Sequence, residues 1–191
     1  MMNYLTDSEL ASFGFKKLGK HIKISKKATI YNPDLIELND FCRIDDFCVI
    51  SGNIHLGKYT HVTPMCLLAG GLPGLVVHDF STFAYGVKIF TQSDDYSGET
   101  MCNSLIPKKY KNELLKKIII GRQVIVGAGS IIMPGANIGE GCAIGAMSLV
   151  LKPTEPWGIY AGIPAKRVKN RAKSLLQLES EFLKDIANDP L

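Results

Sequence analysis

The sequence predicts an all-β chain wound as a parallel β-helix, and three observations predict it. Six aliphatic residues stand six apart in the first half: Leu38, Ile44, Ile50, Leu56, Val62 and Leu68. Six more do so in the second half: Ile120, Val126, Ile132, Ile138, Ile144 and Val150. Four residues after most of these anchors comes a small side chain, as in Cys42, Cys48, Thr60, Cys66, Ser130, Ala136, Cys142 and Ser148. A period of six is neither the helical 3.6 nor a strand alternation of two. It fits a coil in which each hexad makes one short strand with its aliphatic residue inward, and the chain turns between hexads. Glycine follows the anchor at positions 57, 121, 127, 139 and 145, where a turn beside a narrow core leaves little room for a Cβ.

The elements follow in order. Residues 1–23 form an N-terminal helical segment, with Thr6 and Glu9 at capping-box spacing and Gly14 as a stop. Residues 24–152 form the repeat body. Ile24 and Ile30 start it, and a two-residue shift precedes Leu38. The register breaks at Gly70-Gly71-Leu72-Pro73-Gly74 and resumes three residues out of phase at Val77, Phe83 and Ile89. From about residue 94 to 113 the hexads vanish in DDYSGETMCNSLIPKKYKNE, which reads as a long loop leaving the body. Long loops in compact domains are usually functional. The repeat restarts at Leu114 or Ile120. Residues 153–191 form an irregular Pro- and Gly-rich cap and then a short C-terminal helix of about 15 residues from Asn170. Its apolar stripe, Leu175, Leu176, Leu178, Phe182 and Leu183, needs a partner surface.

Composition narrows the function classes. The 191 residues suffice for one core. No apolar stretch is long enough to span a bilayer, and the acidic start of the chain carries no apolar signal core, so a cytoplasmic protein without membrane insertion is expected. Four of the five cysteines share the inward small slot and read as packing in a reducing compartment; Cys102 lies in the loop. The formal net charge of +4 is too small to argue for nucleic acid. Its distribution matters more. Lys152, Lys166, Arg167, Lys169, Arg171 and Lys173 face one acid, Glu155, in the same stretch. Such a patch suits a phosphate-bearing ligand.

The hexads, the mid-chain loop, the second hexad block and the ending Tyr160-Ala161-Gly162-Ile163-Pro164-Ala165-Lys166-Arg167 together resemble the hexapeptide-repeat acyltransferases. The nearest likeness is to the sugar O- and N-acetyltransferases of surface-polysaccharide biosynthesis, over residues 24–170. This resemblance implies a left-handed β-helix of three hexads per coil, assembled as a homotrimer, with acetyl-CoA as cosubstrate. Left-handedness runs against the usual crossover rule and rests on the resemblance alone. It also implies that the pantetheine chain lies along Gly127-Ala128 and Gly145-Ala146. Lys152 matches the basic residue ending the last coil, Lys166 and Arg167 match those meeting the nucleotide phosphates, and Pro164 matches the residue near adenine. Trp157 could stack on adenine, but packing is the favoured reading.

Acyl transfer from a thioester needs an oriented nucleophile, a proton acceptor and donors for the oxyanion. Many O-acetylating members of the family carry a histidine where the chain enters the long loop. This chain has Phe90-Thr91-Gln92-Ser93-Asp94-Asp95-Tyr96 there. Asp94 and Asp95 are therefore candidates both for catalysis and for binding substrate, with Tyr96 holding the sugar. A plain turn explains the aspartate pair equally well. Of the four histidines, His61 resembles one in amino-sugar N-acetyltransferases and is the best candidate base. An exposed corner histidine is its bland alternative, and His55 ranks lower. A carboxylate can hold an ammonium and help to remove its proton, whereas a sugar hydroxyl gains more from a histidine base. N-acetylation of a nucleotide-linked amino-deoxy sugar is thus the leading expectation, with sugar O-acetylation as the alternative. No metal is expected. A carbonic-anhydrase-type zinc site would need His55, His61 and His78 to converge, and the three-residue phase shift opposes that. A purely structural β-helix would need neither the basic cap nor the loop.

Overall fold

The computed structural model describes residues 3–188. Three stacks of side chains run its length, one per face of a three-sided prism, aliphatic except for Phe83 and Tyr160 and inward except for the exposed Leu18. The first is Leu18, Leu38, Leu56, Val77, Ile120 and Ile138. The second is Ile24, Ile44, Val62, Phe83, Val126, Ile144 and Tyr160. The third is Ile30, Ile50, Leu68, Ile89, Ile132 and Val150. Each step within a stack is a parallel strand pair, so the chain is a parallel β-helix whose core is the bundle of these stacks. One coil is three hexads, as from Leu38 to Leu56.

The irregular steps are the expected insertions. One turn of 3-10 helix at Pro33–Leu35 absorbs the two-residue shift. The glycine-rich stretch is carried inside the long strand Leu67–Val77, which bulges past Val49–Leu56. The polar loop leaves after Ile89 and returns before Ile118, so that Ile132 still stacks on Ile89.

The slot four residues after each anchor does more than save space. Its S–H or O–H donates to a backbone carbonyl of the next coil. Cys42 donates to Gly57 O (3.1 Å), Cys48 to Thr63 O (3.1 Å), Cys66 to Ala84 O (3.2 Å), Ser81 to Gly121 O (2.9 Å), Ser130 to Gly145 O (2.8 Å) and Cys142 to Glu155 O (3.1 Å). The bonds help to satisfy backbone carbonyls at the corners. Cysteine, serine and threonine are interchangeable here because each is small and each donates.

One corner carries an aromatic ladder. His21, Phe41, Tyr59 and Phe80 all hold left-handed backbone conformations, with φ of 56°, 61°, 56° and 57°. Each such residue costs about 1–2 kcal/mol. Their rings stack with centroids 4.7, 4.8 and 4.9 Å apart, and each stacked pair returns about 0.5–1.5 kcal/mol. The ladder therefore offsets much of the cost of the turns it decorates.

The ends differ in part from expectation. The capping box forms as read, and the helix spans Asp7–Ser12. The cap is more regular than an irregular segment: Gly158–Gly162 and Ala165–Asn170 form an antiparallel hairpin. That hairpin delays the C-terminal helix, which spans Leu175–Asn188 rather than starting at Asn170. Phe182 meets Tyr59 and Phe80 edge-on, and Glu179 binds Arg122 and Gln123. The aromatic ladder of the same chain is thus part of the partner surface that the apolar stripe required. Residues 1, 2 and 189–191 of the two terminal segments lie outside the described residues. Among the described residues, no helix is long and apolar enough to cross a membrane.

Candidate active site

The loop is anchored at its neck by a two-stranded antiparallel ladder, Gln92–Ser93 against Leu114–Leu115. Asp94 leaves this ladder half-buried, and its Oδ2 accepts the Asn103 N–H at 3.4 Å. Asp94, Asp95, Tyr96 and Glu113 line a cleft of about 480 Å³ whose apolar wall includes Met133, Pro134 and Leu151. Asp94 and Glu113 also line a second hollow of about 340 Å³, beside Ser51, Leu67 and Gln92. Three sequence candidates are therefore brought together: Asp94, Asp95 and Tyr96.

They are not equivalent. Asp95 accepts from Ser97 N (2.8 Å), Ser97 Oγ (2.9 Å) and Thr100 Oγ1 (2.7 Å). Those bonds, the Ser97 N–H first, hold its carboxyl down to about 2. Thr100 Oγ1 in turn accepts the Asn112 N–H at 3.2 Å. Asp95 thereby staples the start of the loop to its end. Tyr96 stands 90% exposed at the cleft rim. The plain-turn reading of the aspartate pair thus applies to Asp95, whose oxygens are engaged within the loop, and leaves Asp94 the more open carboxylate.

His61 lies elsewhere. It belongs to the sheet of Arg43 and Thr82, on another face of the prism, and does not line the Asp94 cleft. Its Nε2–H donates to Asp45 Oδ2 at 2.8 Å, while Arg43 Nε donates to Asp45 Oδ1 at 2.7 Å. Asp45 is buried. Burial pushes its carboxyl up, but the hydrogen bonds from Arg43 and His61 outweigh this and leave it below the usual range. A part-exposed imidazole oriented by a buried carboxylate is suited to accept a proton. Asp45 directly follows the inward anchor Ile44, and the sequence alone does not single it out because Arg43 and His61 come together around it only where two coils pair. His55 is instead engaged with Glu37 (3.1 Å) and Asn39 (3.2 Å). Among the described residues, no group of three or more His, Cys, Asp or Glu could hold a metal.

The candidate coenzyme residues lie on the last coils. Gly127 and Gly145 follow inward anchors on adjacent coils of one face. Gly127 has a structural reason as well: a Cβ there would sit 2.4 Å from the backbone nitrogen of Ala146. Ala128 accepts the Met147 N–H at 2.8 Å, and Ala146 is exposed beside it. Lys152 is exposed at the end of the last coil. Pro164 occupies the hairpin turn after a cis peptide bond, and Lys166 is exposed on the returning strand. Arg167 is partly engaged, lying over the Tyr160 ring at 5.8 Å and donating to Asn170 Oδ1 at 3.0 Å. Arg171 donates to the carbonyls of Gln123, Gly141 and Cys142, and Lys173 lies over Trp157. The basic patch is therefore partly a fastening of the cap. Trp157 packs against Gly141, whose Cβ position its ring occupies.

Comparison with known proteins agrees with this architecture. The family model "Bacterial transferase hexapeptide (six repeats)" matches residues 117–152. The dTDP-4-amino-4,6-dideoxy-D-glucose acyltransferase of Escherichia coli is 38% identical over 193 residues, covering 100% of both chains. The N-acyltransferase AntD from Bacillus cereus, crystallised with dTDP and 3-hydroxybutyryl-CoA, superposes with a TM-score of 0.96 at 41% identity, over 98% of this chain and 100% of that one. A putative lipopolysaccharide biosynthesis O-acetyl transferase, WbbJ of Escherichia coli K12, is 26% identical over 62% of this chain and 58% of its own. Full-length similarity at this level, on a prism that carries the expected loop and cap, makes the chain a member of the hexapeptide-repeat acyltransferase family.

Proposed function

We propose that the protein transfers an acyl group from an acyl-CoA to the amine of a nucleotide-linked amino-deoxy sugar, in the cytoplasm, for a surface polysaccharide such as O-antigen or capsule. One observation carries this reading. The cleft at the neck of the loop presents the carboxylate of Asp94, and no histidine lines it. The full-length similarity to an enzyme of a dTDP-linked 4-amino sugar supports the same class of acceptor. Asp94 pairs with the sugar ammonium, and Tyr96 closes over the sugar. Loss of one proton frees the amine lone pair, which attacks the thioester carbonyl. The tetrahedral intermediate expels the coenzyme thiolate, and the second proton lost from nitrogen passes to that sulfur, leaving the amide and the free coenzyme thiol.

Asp94 and His61 stand on different faces of one chain, so they serve one acceptor only where two copies meet. A homotrimer supplies that meeting, with the His61–Asp45 pair of one protomer as the base that accepts the proton. The coenzyme lies along Gly127, Ala128, Gly145 and Ala146, with Lys152, Pro164, Lys166 and Arg167 at its nucleotide end. In this division, residues 24–152 provide the acceptor site and 153–191 the coenzyme cap. Acetyl-CoA is the proposed donor, and 3-hydroxybutyryl-CoA is a necessary second candidate because AntD is crystallised with it.

The test is a coenzyme-release assay with both donors against dTDP-linked amino sugars, their hydroxyl analogues and free sugars. Amide formation on the amino sugars is expected. Efficient ester formation with every amino sugar left untouched would replace this reading with sugar O-acetylation.

A further inference from the structure

The neck of the loop places a second carboxylate against Asp94. In the antiparallel ladder Gln92 pairs Leu115 and Ser93 pairs Leu114. The next pair in that register is Asp94 with Glu113. Directly opposed residues of an antiparallel pair project to the same face, and Asp94 and Glu113 accordingly line the same two hollows. Like charges at such a distance oppose folding unless a cation lies among them. Lys111 provides one. Its Nζ donates to Glu113 Oε1 at 2.9 Å, and its side chain is only 5% exposed. A lysine is seldom buried this far without a purpose. Its ammonium shows that a cation fits against Glu113. The neighbouring backbone is fixed too, since Asn112 N–H donates to Thr100 Oγ1, which is held by Asp95.

We propose that Glu113, held by Lys111, is a positioning residue that makes the acceptor cleft selective for an amine. Three carboxylates line the cleft, Asp94, Asp95 and Glu113, and one lysine ammonium binds Glu113, so the cleft keeps a net negative charge beside the acceptor. That charge attracts a substrate ammonium and offers nothing comparable to a neutral hydroxyl. The inference rests on the amino-sugar reading above and adds the group that sets its selectivity.

The test compares wild type, Glu113→Gln, Lys111→Met and Lys111→Arg with a dTDP-linked amino sugar and its hydroxyl analogue. Glu113→Gln lowers the net negative charge of the cleft by one. It should raise KM for the amino sugar at least tenfold, change kcat little, and leave binding of the hydroxyl analogue within twofold. Lys111→Arg should keep the wild-type preference, and Lys111→Met, which removes a positive charge, should not weaken it. If Lys111→Met fails to fold, Glu113→Gln, which keeps shape and loses only charge, still decides. Should wild type acylate the amino sugar and Glu113→Gln show the same KM and the same preference, this inference falls and the amino-sugar reading stands. Should wild type acylate no amino sugar, both fall.

Discussion

His61 donates from Nε2 to Oδ2 of Asp45 at 2.8 Å, and Asp45 is a buried acid next to the inward anchor Ile44. Its second oxygen accepts from Arg43 and from the Tyr4 hydroxyl. These partners hold the charge in place. Replacing Asp45 with Ala should cost about 1.5–3 kcal/mol, the usual worth of hydrogen bonds to a charged group, and urea denaturation at pH 7 measures it. The carboxyl is held below its ordinary value, so its contribution is present above the unfolded pKa and is lost as pH falls through the folded one. The gap between wild type and variant should therefore shrink below about pH 4. A gap that persists unchanged at pH 3 would mean that the charge of Asp45 is not what stabilises this face.

The same pair sets a catalytic expectation. If His61 accepts the proton, His61→Ala should lower kcat by about 10² while coenzyme binding holds. Asp45→Asn should lower it too, because the ring loses the partner that orients it. Stopped-flow coenzyme release on variants checked for folding measures both. A near-normal rate in His61→Ala would make His61 a surface residue tied to Asp45 for stability alone.

A third expectation concerns the inward small slot. Ser130 Oγ donates to Gly145 O and accepts from Ser148 N–H. Ser130→Ala strands both, at about 1–3 kcal/mol. Ser130→Cys keeps a small donor, as Cys48 and Cys66 do at equivalent corners, and should cost distinctly less. Equal losses in the two variants, read from chemical denaturation, would return the slot to simple space-filling.

That slot also shows where sequence reading stops. The period of six located all three faces, because each inward anchor must stack on the one a coil away. It even located the insertions, because an insertion shifts phase without breaking period. The small slot was legible as size and not as hydrogen bonding, since cysteine, serine and alanine look alike to a volume argument. Asp94 was legible because it stands where a histidine was expected. Glu113 was not, because it is far from Asp94 in sequence and lines the same hollows only through the antiparallel neck. Nor was the bonding of Asp95, whose oxygens accept from Ser97 and Thr100 inside the loop.

The last expectation separates Lys166 from Arg167. Both sit on the cap hairpin at the proposed phosphate end of the coenzyme site. Arg167 already lies over Tyr160 and donates to Asn170, so binding a phosphate would require it to give up contacts it holds. Lys166 is exposed on the facing register of the hairpin, opposite Ala161. A charge-assisted contact to phosphate is worth about 1.5–3 kcal/mol. Lys166→Ala should therefore weaken coenzyme binding by roughly tenfold or more, while Arg167→Ala should weaken it less and also lower the melting temperature. Calorimetry of coenzyme A binding, with thermal unfolding alongside, resolves the two effects. If the double alanine variant binds coenzyme A as wild type does, the nucleotide end of the coenzyme does not lie on this hairpin.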